Sequence, residues 1–129
     1  MPSHFRKLEN LYQTAPVQKL YPGISIVVSE RKCIITYPVH TAHFHGGGSL
    51  HGAVYFKLLD DAAYFAAASI ITDVFILTAT FQIKMKKPVT EGVLTAIGTL
   101  IQHSGDKLSA EAELRDADGL PVATGTGLL

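Results

Sequence analysis

The chain has 129 residues, 47% of them hydrophobic, which supports a single domain over residues 1–129 with a sizeable core. Eleven basic and eleven acidic side chains leave no net charge, so no broad field draws the chain to nucleic acid or to an anionic membrane, and any anionic ligand must be held by a local cluster. The single cysteine, Cys33, allows no internal disulfide, reads as core filler, and fits a reducing cytoplasm.

Residues 1–22 form an N-terminal helix and lead-in: Phe5, Leu8, Leu11 and Tyr12 recur at helical spacing, and the segment lacks the apolar core of a signal peptide. After Pro22-Gly23, the alternation of Ile24, Ile26 and Val28, a polar break at 29–32 and the run Cys33 to Tyr37 predict a hairpin that Pro38 closes. The segment from His40 to His45 then leads through Gly46, Gly47 and Gly48 into a helix-forming run that extends to Ile71 and is apolar nearly all round. Such a helix must be surrounded by other structure. Its apolar stretch from Ala62 to Ile71, interrupted by Ser69, is too short to span a bilayer.

From Leu77 the period changes to two. Leu77, Ala79, Phe81, Ile83 and Met85 alternate with polar residues, which predicts a strand with one buried face. Pro88 and Gly92 bound a loop, Val93 to His103 makes another strand, and Ser104-Gly105-Asp106 a turn. Alternation from Leu108 to Leu114, the hairpin signal Asp118-Gly119 and a last strand from Leu120 to Leu128 complete the chain. The pattern predicts an α+β domain in which a curved antiparallel sheet of about five to six strands wraps one long central helix.

The polar groups on that helix are its informative residues. Asp60 shares a stripe with Ala53, Phe56, Ala63 and Ala67, and a carboxylate held there costs free energy unless something pairs with it or uses it. It either serves in catalysis or caps a neighbouring loop or histidine. Asp61, with Lys57 one turn back and Tyr64 three residues on, reads as a solvated position. Around Gly52 and Ala53 the free N–H groups and positive dipole end of the helix suit an oxygen carrying negative charge, although a glycine-rich approach also simply lets a loop turn. His40, His43, His45 and His51 crowd this loop, but no recognised ligand spacing accompanies them, so we expect no metal. Ser49 lacks a nucleophile elbow. Lys84, Lys86 and Lys87 either protect a strand edge or reach the phosphates of a nucleotide-bearing ligand.

His51-Gly52-Ala53, with Gly48 three residues before the histidine and Asp60 nine after it, resembles the His-Gly-Gly…Asp pattern of the PaaI-like acyl-CoA thioesterases, which have the hotdog fold. The likeness runs from about Ile24 to Leu129. It implies hydrolysis of a thioester to a free acid and coenzyme A, with no cofactor beyond the coenzyme A of the substrate. By the same resemblance Asp60 is the general base or nucleophile and the Gly52 N–H holds the thioester oxygen. His51 helps to place the substrate, and Thr78, eighteen residues after the carboxylate, orients the water. Where such proteins commonly carry Asn, six residues before the motif histidine, this chain has His45, and Ala53 replaces the second glycine.

The resemblance further implies a homo-oligomer, a dimer or a dimer of dimers, in which subunits join their sheets. Each active site would then take the glycine loop of one chain and the carboxylate of the other. Two rival readings are a non-catalytic hotdog module that binds acyl-CoA and a hotdog dehydratase or hydratase. The latter ranks lower because His43-Phe44 lacks the prolines that follow such a pair.

Overall fold

The computed structural model describes residues 2–129. Helix α1 (Pro2–Thr14) and a short 3-10 turn (Pro16–Leu20) precede the hairpin β1 (Ser25–Ser29) and β2 (Lys32–Pro38). Helix α2 (Gly52–Ala68) follows, then β3 (Thr80–Met85), β4 (Val93–Ser104), β5 (Lys107–Arg115) and β6 (Pro121–Leu128). All pairings in the six-stranded sheet are antiparallel, in the order β1-β2-β4-β5-β6-β3.

The sheet curves around α2, whose Leu58, Leu59, Ala62, Ala63 and Ala66 are fully buried against it. The alanines of α2 let the helix lie close, and one strand residue makes the closest approach possible. A Cβ at Gly98 of β4 would stand 2.1 Å from the Ala62 carbonyl oxygen, so glycine is required there. Ser69, the polar interruption in the apolar run, ends the helix: its hydroxyl donates to Ala66 O and accepts from the Arg31 amide. The helix therefore stops at Ala68, short of the Ile71 that hydropathy alone suggested.

The two sheet edges differ. On β1, side chains of α1 occupy the outward backbone groups: Arg6 donates to Val28 O, Glu9 accepts from the Val28 amide, and Gln13 donates to Ile24 O. Those bonds blunt the edge against further pairing. No comparable cover lies over β3 among the described residues. The strand also starts at Thr80, three residues later than expected, and the face predicted to be buried is only half covered at Phe81 and Ile83. Leu77 is 73% exposed and Met85 55%. Within one chain the face that the alternation marks on this edge strand is covered only in part, by Phe56 and the start of α2.

Candidate active site

The glycine loop is a tight turn closed by the bridge between Phe44 and Leu50, with Gly48 at φ +86°. His45 organises it. The Gly47 amide donates to His45 Nδ1 at 2.9 Å, which leaves the ring proton on Nε2 to donate to Ser49 Oγ at 2.9 Å. A side-chain acceptor bonded to the amide two residues on is what an Asn or Asp makes in an Asx turn. The imidazole thus reproduces locally what the family's usual amide would do. His45→Asn is expected to keep most of the activity and stability, whereas His45→Ala, which loses the acceptor, should lower both. Equal activity of the alanine variant in a steady-state assay would show that the loop needs no such bond.

His51 is the N-cap of α2, its Nδ1 accepting from the Ala53 amide at 2.9 Å. The Gly52 amide beside it, the first of the helix, has no acceptor among the described residues. This free donor at the positive end of the helix dipole can hold an oxyanion. Met85 of β3 packs at Gly52, its sulfur 3.3 Å from where a Cβ would be.

Asp60 sits two turns on, half-buried, and Thr78 Oγ1 donates to its Oδ1 at 2.9 Å. The stretch that carries Thr78 is tethered on both sides, by the Tyr64 hydroxyl on Ile76 O and by the Ala79 amide on Leu128 O. Burial holds the Asp60 carboxyl above the usual carboxylate range and nearby Asp61 adds to this, while the Thr78 hydrogen bond and Lys57 pull against it. A carboxylate so placed is a stronger base than one in water.

Asp61 is not the solvated residue its spacing suggested. Tyr12 of α1 donates to its Oδ2 at 2.8 Å, Lys57 forms an ion pair with the same oxygen at 2.8 Å, and the ammonium lies over the Tyr12 and Tyr21 rings. Helical periodicity shows neighbours on the same helix only, and α1 supplies the partner that it cannot see. The other histidines are also tied to structure. His43 bonds Tyr37 Oη and Leu20 O, and His40 bonds Pro22 O. Among the described residues no group of His, Cys, Asp or Glu is arranged to hold a metal ion.

The three lysines do not converge. Phe81 and Met85 face α2, so Lys84, one residue from Met85, lies on the opposite face of β3. Lys87 is paired with Asp116 at 2.7 Å. Lys86, exposed just past Met85, follows the same alternation as Lys84, its amide bonded to Val122 O at 2.8 Å.

Asp60 and Thr78 line a cavity of about 650 Å³ whose other walls include Leu11, Tyr12, Val17, Gln18, Tyr64 and Phe75. The N-terminal segment thus supplies one wall, and Gln18 has a buried Oε1 with no hydrogen-bond partner among the described residues. No sequence motif marks Gln18. An unpaired buried amide oxygen costs about 1–3 kcal/mol.

A family description of the thioesterase superfamily matches residues 47–123, from the glycine loop through α2 into β6. The chain belongs to the thioesterase superfamily. Its fold is the hotdog fold, as comparison with solved structures shows. The PaaI protein of Escherichia coli, from the phenylacetic acid degradation operon, superposes with a TM-score of 0.86 at 21% identity over 97% of this chain and 90% of that one. Thioesterase superfamily member 2 of zebrafish gives 0.84 at 14% identity over 96% and 95%. A Haemophilus influenzae thioesterase gives 0.82 at 20% identity over 96% and 87%. At such identities the likeness concerns the fold. No curated protein matches the chain. Among the described residues, no helix of this superfamily member is long and apolar enough to cross a membrane.

Proposed function

We propose that the protein is an acyl-CoA thioesterase that uses Asp60 as general base or nucleophile and works as a dimer. The observation that carries this reading is the Thr78-to-Asp60 hydrogen bond at 2.9 Å, at the wall of a largely apolar cavity, in a chain of the thioesterase superfamily. Written for the base, Asp60 takes a proton from a water oriented with the help of Thr78. The water oxygen attacks the thioester carbonyl, whose oxygen becomes negative and rests on the Gly52 amide. Collapse breaks the carbon–sulfur bond, and the proton on Asp60 goes to the departing thiolate. His51, which caps the same helix start, helps to place the substrate. Lys84 and Lys86, exposed side by side at the end of β3, are assigned to the phosphates of coenzyme A, since Lys87 is paired.

One chain cannot supply both groups to one carbonyl. Gly52 and Asp60 are eight residues apart on one helix, so about 12 Å of rise separates them. The bare β3 edge, the half-exposed Phe56 of α2 and the exposed Phe75 and Leu77 mark the surface on which a second chain would bring its helix start to Asp60.

Thiol release from a panel of acyl-CoAs tests the activity: turnover is expected, and binding without release would favour a non-catalytic module. A Thr78→Val variant should lose turnover and shift its pH profile. Removing the hydrogen bond that lowers the Asp60 pKa raises that pKa further, so the ionised base forms only at higher pH and the acid limb of kcat/KM moves upward. An unmoved limb would detach Thr78 from Asp60.

A further inference from the structure

We infer that a second cavity, next to the one that holds Asp60, takes the tail of a long aliphatic acyl chain. The inference rests on the thioesterase reading above and extends it to the substrate class. This cavity measures about 440 Å³ and lies between α1 and residues 71–76, the stretch that follows α2. Leu11, Thr14, Tyr64 and Phe75 line both cavities, so the second begins where the first ends.

The shared walls are held differently. Tyr64 is fixed, its hydroxyl donating to Ile76 O at 2.7 Å and its ring meeting Phe65 edge-on with centroids 5.0 Å apart. Leu11 and Phe75 are exposed, so their side chains change rotamer quickly and can part to let a chain pass over Tyr64. Beyond them, Leu8, Ala68, Ile71, Val74 and Ile76 make most of the lining apolar. The charged groups at its rim offer no net anchor, because Lys7 and Asp73 are both exposed and opposite in sign, and His4 is bonded to Ala68 O at 2.9 Å. A hydrocarbon tail meets these conditions: it needs no polar partner and gains by leaving water. Such a tail would also cover Val74 and Phe75, large apolar side chains that otherwise face solvent together. An apolar path that runs from Asp60 over Tyr64 into a second cavity favours a long straight chain over a short one.

Photolabelling locates the tail directly. A myristoyl-CoA analogue with a diazirine at the end of its chain, bound to the Asp60→Asn protein, is expected to label residues 4–10 or 71–74, whereas the octanoyl analogue labels the walls of the first cavity around residues 15–18, 57–61 and 77–78. In turnover by the wild-type protein, kcat/KM should be higher for myristoyl-CoA than for octanoyl-CoA by about 10-fold or more, since each methylene that leaves water is worth up to about 4-fold. Val74→Asp, which puts a charge on the lining of the second cavity alone, should lower that ratio by about 10-fold. Label from the long analogue that stays around the first cavity would leave the second to a neighbouring chain or to water and overturn the assignment. So would a ratio near one, or a ratio that Val74→Asp does not change. Label in the second cavity without turnover of either acyl-CoA would instead count against the thioesterase reading and leave the tail site standing.

Discussion

Asp60→Asn is expected to lower kcat/KM by about 10²–10⁴-fold, the usual range for losing a general base, with the fold retained. The amide keeps the shape and can still accept from Thr78, but it takes no proton. The same substitution should raise the melting temperature at neutral pH. The carboxyl is held above its ordinary pKa in the folded chain, chiefly by burial. The stability linked to that group is therefore full below the unfolded pKa and is lost as pH rises through the higher folded pKa. At pH 7 the ionised Asp60 is then a net burden on the fold, and Asn removes it. Activity without stability is what a group retained for chemistry provides, and a variant that is both slower and less stable would point to a structural carboxylate. Asp61→Asn is the contrast. It leaves turnover nearly intact but loosens the tie of α1 to α2, because Lys57 loses the counter-charge that it holds in a side-chain environment only 13% exposed.

Gly98→Ala should lower stability by at least about 3 kcal/mol, by the scale of overpacked cores. The added carbon would meet the Ala62 carbonyl oxygen at 2.1 Å and the Ala63 nitrogen at 2.8 Å, and both atoms belong to helix backbone that cannot turn aside. Relief requires α2 to lift from β4, which also moves Asp60, two residues from Ala62. Thermal unfolding should show the midpoint lowered by about 10 °C for a domain of this size. An unchanged midpoint would mean that helix and strand are not in the contact described.

Much of this architecture was legible from the chain itself. Period-two alternation located β5, turn signals bounded β4 and β6, and the apolar run located α2, because in each case the pattern is satisfied by neighbours within the same chain. Thr78, which the family resemblance implies as the residue that orients the water, donates a hydrogen bond to Asp60 in the structure. Other features were hidden for physical reasons. The face of β3 that reads as buried is only partly covered in a single chain, because alternation marks a face without showing what covers it. Asp61 reads as solvated because Tyr12, 49 residues away in sequence, is its partner. Gln18 carries no signal at all: an amide in a lead-in segment looks like any loop residue until the cavity beside it is seen.

The claim that each site is shared between two chains is tested by refolding two inactive variants together, Asp60→Asn and Gly52→Pro. Proline suits the second position unusually well. Gly52 is the first residue of α2, where an amide hydrogen has no helical partner and proline is tolerated, and His51 before it already has the extended backbone that a following proline prefers. The nearest obstacle is the flexible Met85 side chain. The variant therefore removes the proposed oxyanion donor with little else. Random pairing makes about half of the dimers mixed, each with one site that combines the intact Gly52 of one chain with the intact Asp60 of the other, so about a quarter of wild-type activity should return. Sites built within single chains would give no recovery.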